Sequence, residues 1–230
     1  MHDVEIRQEI VDRVLARRNR LHLFDTLDAR ETAFVIIDMQ NTFVEPGAPA
    51  EVPVSRAICA AINRMNAELR ALGVRIVWIT SANTGDGERS DWDCFYDNFV
   101  AAEVRQRTIA SMTPGAQGTR IWHELAVAEH DLHVVKNRYS ALIPGASQLE
   151  RVLRGYGIKN VLIGGTKTNV CCESTGRDAM MLDFNVVMVS DCLAALSDDE
   201  HRASLETFIQ QFGDVMDHQE TLAVLRNKPN

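Results

Sequence analysis

The chain has 230 residues, 46% of them hydrophobic, and a formal net charge of −8. That length suits a single α/β domain with a full core, and the acidic balance argues against a nucleic-acid partner, which calls for a basic field. The five cysteines are an odd number with no C-x-x-C pair, so neither a disulfide framework nor a zinc site is expected, and the thiols read as reduced in a cytoplasmic protein. The first twenty residues are charged and lack an apolar core, so no secretory leader is expected. No apolar run is long enough for a membrane span.

Residues 4–20 place Val4, Ile6, Ile10, Val11, Val14 and Leu15 near helical spacing among Arg and Glu, which predicts an amphipathic helix in an N-terminal extension, residues 1–28. It either packs on the main domain, residues 29–230, or reaches to a second subunit. Arg17, Arg18 and Arg20 read as a solvated helix end. Ala33 to Ile37 is a continuous apolar run of the buried-strand type, ending at Asp38. A loop rich in Pro and Gly follows. Residues 54–72 read as a helix closed by Gly73, and Val74 to Thr80 as the second strand. Residues 81–120 hold few periodic signals but contain Trp92, Phe95, Tyr96 and Phe99. They predict an excursion over the carboxyl ends of the strands, with the aromatics either covering a site or packing a short helix.

Residues 121–129 read as a helix and Leu132 to Val135 as a strand ending at Lys136. Residues 146–155 read as a helix and Val161 to Ile163 as a strand, after which Gly164 and Gly165 turn the backbone. A helix is predicted to begin at Cys171, then a strand over Val186 to Val189. A helix over 198–211, a short strand over Phe212 to Val215 and a polar tail complete the chain. Alternating strands and helices predict a three-layer α/β/α sandwich around a mostly parallel sheet.

In such sheets ligands bind beyond the carboxyl ends of the strands. Asp38, Lys136 and the loop before Cys171 all fall there. An acid after AFVII and a lysine after LHVV are costly unless paired or at the mouth of a site. At a helix start, free N–H groups and the helix dipole would lower the Cys171 thiol pKa; the alternative is a cysteine serving as a small apolar residue. His123, His130, His133, His201 and His218 are not placed to serve as its base and read as exposed or structural. Asp38 and Lys136 converging on a thiol would form a working unit, the lysine holding the charges and the carboxylate carrying the proton.

Three segments together, AFVIIDMQNTFVEPG around Asp38, VVKNRYSAL around Lys136 and IGGTKTNVCCESTGRDAMMLDF around Cys171, resemble the isochorismatase-like cysteine hydrolases. The resemblance runs from about residue 30 to about residue 215 and is nearest to the ureidoacrylate amidohydrolase and carbamoyl-amide branch. It implies the isochorismatase-like hydrolase fold and a catalytic triad of Asp38, Lys136 and Cys171. It also implies a cis peptide between Thr166 and Lys167, and an oxyanion hole of the Lys167 and Cys171 backbone N–H groups. Cys172 stands where the family usually has valine and reads as a buried neighbour. Lys167 departs from the small residue many members carry; its side chain either points outward or helps recognise an anionic substrate.

The activity implied is hydrolysis of a C–N bond in a small ureido, carbamoyl or carboxamide substrate through a covalent thioester-type intermediate. The alternatives are vinyl-ether hydrolysis of the isochorismatase type, which does not use the cysteine, or a non-catalytic scaffold. Gln40, Asn41, Asn83 and Tyr139 are candidate substrate contacts, Asn41 and Tyr139 being equally readable as caps or packing, whereas Trp78 and Phe43 read as core. No cofactor is expected. The metal-binding Asp-x-His arrangement of nicotinamidase members does not follow Asp38, and residues 81–100 contain no histidine. The extension and the resemblance together imply a homodimer or homotetramer.

Overall fold

The computed structural model describes residues 2–85 and 90–227. In chain order the elements are α1 (Gln8–Arg18), β1 (Thr32–Ile37), α2 (Asn41–Val44), α3 (Ser55–Leu72), β2 (Arg75–Ser81), α4 (Asp93–Asn98), α5 (Ala102–Ser111), β3 (Leu132–Lys136), α6 (Leu149–Gly155), β4 (Asn160–Thr166), α7 (Glu173–Met181), β5 (Asn185–Ala194), α8 (Asp198–Gln211), β6 (Asp214–Met216) and α9 (His218–Arg226). Among the described residues six strands form one sheet in the order β3-β2-β1-β4-β5-β6, and every pairing is parallel. The chain starts in the middle, moves outward to β3, then returns to the other side of β1. The crevice between β1 and β4 is therefore where the direction of winding reverses.

Side chains of a strand alternate between faces, and β1 buries both. Ala33, Val35 and Ile37 join a core with Ile10 and Val14 of α1, Leu149 and Leu153 of α6, and Leu205 and Phe208 of α8. Phe34 and Ile36 join the opposite core with Ile58, Ile62, Met65 and Leu69, the apolar stripe of α3, and with Leu222 and Leu225 of α9. Helices thus cover the sheet on both sides. No helix among the described residues is long and apolar enough to cross a membrane.

The N-terminal helix packs on this domain. Arg7 lies across buried Glu206 with hydrogen bonds of 2.9 and 2.5 Å. Arg17 and Arg18 are not simply solvated: they donate to the carbonyls of Gln210 and Ile209 at the end of α8, where cations meet the negative end of a helix.

Several boundaries differ from the sequence reading. Residues 121–129 are not helical: Ile121 bridges Gln40, and the Trp122 N–H donates to the Met39 carbonyl at 3.0 Å. Pairing with the segment after β1 outweighs local helix preference. Gly164 and Gly165 lie inside β4 rather than at a turn, and β5 runs on to Ala194 through an irregular register. Phe212 closes α8, and the last strand begins at Asp214.

The polar tail contains α9, whose start is fixed by a capping box: Asp217 accepts from the Glu220 N–H at 2.8 Å, and Glu220 accepts from the Asp217 N–H at 2.9 Å. Asp217→Ala should cost about 1 kcal/mol in urea unfolding, and Asp217→Asn, which keeps a capping oxygen, much less.

Candidate active site

β1 delivers Asp38 to its carboxyl end in a left-handed conformation, φ 56°, which Asp tolerates better than most residues. Its N–H donates to the Ile79 carbonyl of β2 at 2.9 Å. On the other side β4 approaches equally closely. Gly165 pairs with Ile37, and a Cβ there would stand 2.0 Å from the Ile37 carbonyl oxygen. A side chain at 165 would therefore push apart the two strands that carry Asp38 and the cysteine loop.

Lys136 ends β3 opposite Ser81 at the end of β2. Its Nζ lies 2.9 Å from Asp38 Oδ2. Ser81 Oγ donates to Asp38 Oδ1 at 2.8 Å and accepts from Lys136 Nζ at 2.8 Å, and Nζ also donates to the Arg138 carbonyl at 3.0 Å. Asp38 is 0% and Lys136 1% exposed. Burial disfavours the Lys136 charge, but the Asp38 carboxylate and Cys171 outweigh it, so the lysine pKa is raised and the ammonium stays charged. Asp38 Oδ2 receives no well-directed hydrogen bond among the described residues, so it keeps a lone pair for a further proton.

Cys171 does not open an α-helix. It lies in a π-turn, Thr168–Cys172, ahead of α7, and a cis peptide joins Thr166 to Lys167. The thiol is close enough to the Asp38 carboxylate and the Lys136 ammonium for both charges to act on it. Its pKa is not lowered as a helix start would suggest. Burial first, then the Asp38 charge, push the thiol up to about 12, against the smaller pull of Lys136. The resting cysteine is a neutral thiol facing a carboxylate. Cys172 is fully buried, its Sγ 3.8 Å from the Gly164 carbonyl oxygen.

A cavity of about 320 Å³ opens above Cys171, Lys136 and Ser81. Its wall comes from the 81–120 excursion, which supplies Trp92, Phe95, Tyr96 and Phe99 as a cover rather than an isolated helix core. Of the candidate contacts, Asn83 and Tyr139 line this cavity, Tyr139 edge-on to Trp92 at 4.7 Å.

Gln40 and Asn41 do not line it. Gln40 is wholly buried, donating to the Ser81 and Gly118 carbonyls and accepting from the Ser81 N–H. Asn41 donates to the Gln117 carbonyl at 2.9 Å. These two amides tether the excursion, a structural use in place of substrate contact. Phe43 lines the cavity instead of the core, whereas Trp78 is core and donates to Asp131 at 2.8 Å. Lys167 also faces the cavity, not simply outward.

Sequence reasoning missed Ser81 and Arg138. Ser81 sits one residue past the predicted end of an apolar strand, which was its only signal. Arg138 lies two residues after Lys136 with none. Among the described residues no group of three or more His, Cys, Asp and Glu side chains could hold a metal.

With this geometry in hand, comparison with known proteins is informative. The isochorismatase domain profile matches residues 32–220. A ureidoacrylate amidohydrolase RutB of Stutzerimonas stutzeri is 30% identical over 179 residues, covering 72% of this chain and 70% of the relative. A probable inactive nicotinamidase of Arabidopsis thaliana is 29% identical over 178 residues, covering 76% and 87%. The crystal structure of a cysteine hydrolase from Pseudomonas syringae pv. phaseolicola superposes with a TM-score of 0.76 at 27% identity, over 86% of this chain and 94% of that one. The profile match spans most of the chain: the chain belongs to the isochorismatase family.

Proposed function

We propose that this protein is a cysteine-dependent amidohydrolase acting on a small ureido, carbamoyl or carboxamide substrate. The observation that carries the reading is the buried Asp38–Lys136 ion pair, 2.9 Å apart, both charges of which act on the Cys171 thiol that lines the same cavity as Lys136. Asp38 takes the thiol proton as Cys171 Sγ bonds to the substrate carbonyl carbon. Lys136 keeps the transferred charge balanced. The carbonyl oxygen becomes an oxyanion that the Lys167 and Cys171 N–H groups receive.

The C–N bond then breaks, and Asp38 returns its proton to the departing nitrogen, giving ammonia or an amine and a thioester-type acyl enzyme. Water, losing its proton to Asp38, attacks that carbonyl. The C–S bond breaks, the proton returns to sulfur, and the acid product leaves. Ser81, bonded to both charged partners, fixes their geometry.

The raised thiol pKa suits this sequence. A free thiolate beside Asp38 would be costly, so the proton moves only as the new bond forms. The name of the Arabidopsis relative, probable inactive nicotinamidase, keeps a second reading in view, a scaffold without turnover. A third is vinyl-ether hydrolysis, in which Cys171→Ala retains turnover.

An ammonia-release screen over ureido acids, carbamoyl amino acids, nicotinamide and simple carboxamides separates the first reading from the other two. At least one class should be turned over by the native chain and by none of its Cys171→Ser preparations. Silence across every amide and ureide tested would overturn the amidohydrolase reading and leave the scaffold and the vinyl-ether hydrolase.

A further inference from the structure

We infer that the substrate carries an anionic group, in the simplest case a carboxylate, a few bonds from the scissile carbonyl, and that Lys167 together with Arg138 selects it. This inference rests on the hydrolase reading above and adds the chemistry of the substrate's far end.

The charged residues lining the cavity are Lys136, Arg138 and Lys167; no acid lines it among the described residues. Lys136 is matched by Asp38 beneath it. Arg138 is held by neutral partners: it donates to the carbonyls of Asn137 and Asp91 at 2.7 and 3.0 Å, and its guanidinium lies 5.1 Å from the Trp92 ring centroid. It makes no ion pair among the described residues, nor does Lys167. The nearby Asp91 carboxylate is engaged by Thr84 and Asn137 at 2.7 and 2.6 Å. Counting it, the described residues around the cavity still carry one positive charge in excess, inside a chain whose net charge is −8. A cationic cavity in an acidic protein is a local feature, and a concave site focuses its field on the ligand.

A neutral substrate would leave two cations facing an apolar tail. A carboxylate would give each a charge-assisted hydrogen bond. The position of Lys167 adds a length constraint. Its backbone N–H belongs to the proposed oxyanion hole, so its side chain starts beside the reacting carbonyl, and the ammonium reaches roughly 6 Å from its Cα. The cavity of about 320 Å³ lies at the small end for ligand sites. Phe43, Trp92 and Phe95 line the same space and would pack on the short spacer between the two groups.

Iodoacetate and iodoacetamide form a matched anionic and neutral pair that both alkylate sulfur. Their rates at Cys171 in the full chain, resolved by peptide mapping, should be compared with their rates at glutathione. The iodoacetate-to-iodoacetamide ratio at Cys171 should exceed the glutathione ratio about tenfold. It should fall about fivefold in Lys167→Met and Lys167→Gln, and persist in Lys167→Arg. A ratio equal to that of glutathione, or one unmoved by the neutral variants, overturns the proposal.

A second measurement does not depend on thiol reactivity. In Cys171→Ser, succinate should bind at least about tenfold more tightly than succinamide at constant ionic strength, read by tryptophan fluorescence, and Lys167→Met should remove the difference. Inert Cys171 with succinate preferred would sink the nucleophile and spare the anion site. Reactive Cys171 without either preference would do the reverse.

Discussion

Cys171→Ala and Asp38→Asn should each lower ammonia release by at least about 10⁴-fold, since residues acting as one unit are each indispensable. The thiol, pushed up to about 12 by burial and by Asp38, is protonated at neutral pH, and in the mechanism proposed above it becomes a nucleophile by giving its proton to that carboxylate. Asparagine keeps the shape of Asp38 and cannot take the proton. Iodoacetamide labelling provides a readout that needs no substrate. Cys94 is exposed, while Cys59, Cys172 and Cys192 are buried. Cys94 should therefore label in every variant, whereas Asp38→Asn removes the charge that raises the Cys171 pKa and leaves Lys136 in place, so Cys171 should label at least as fast there while ammonia release stays lost. Retained ammonia release in Asp38→Asn would remove the carboxylate from the role of base.

The same shift sets a pH dependence of stability. A thiol whose folded pKa is raised from its ordinary 9.0 to about 12 favours the folded state while it holds its proton. That contribution is complete below pH 9.0 and is lost as pH rises toward 12. Denaturant titrations at pH 7 and pH 10 should show a larger alkaline loss in the native chain than in Cys171→Ala.

Lys136→Met is the second large effect and acts on folding as well as turnover. It removes the cation from a carboxylate that is 0% exposed, leaving Asp38 charged with only Ser81 and backbone dipoles around it. Breaking a buried pair from one side costs about 3–5 kcal/mol. Pairing Lys136→Met with Asp38→Asn removes both charges and should recover most of that stability while turnover stays absent. Recovery of stability without activity separates the structural cost of the pair from its chemical use; recovery of both would mean that neither charge takes part in the reaction. The lysine adds its own alkaline limb. Its raised pKa means that its contribution is complete below its ordinary value of 10.5 and lost above it.

The parts of this site that can be read from the chain are those whose cost is visible locally. Asp38 and Lys136 each end an apolar run, where a charge has no reason to sit unless something balances it, and Cys171 follows a third such run. Strand-helix alternation then puts all three at one edge of a parallel sheet. Helices with a full apolar stripe and a terminal glycine, such as α3 before Gly73, follow from short-range preference.

The remainder depended on which strands became neighbours. Ser81 matters because β2 lies between β1 and β3, so a single hydroxyl touches both ions. Gln40 looks like a substrate contact in the sequence and is a tether in space, because the excursion it holds returns alongside it. The 121–129 stretch lost its helix to the same pairing. The most instructive reversal is the thiol. Its place before a helix suggested an acidic sulfur, but burial and an adjacent carboxylate, both products of long-range packing, raise its pKa to about 12. Chain order determined which groups were available for the chemistry; enclosure from all sides decided their protonation, because desolvation acts through every neighbour and not only those adjacent in the polymer.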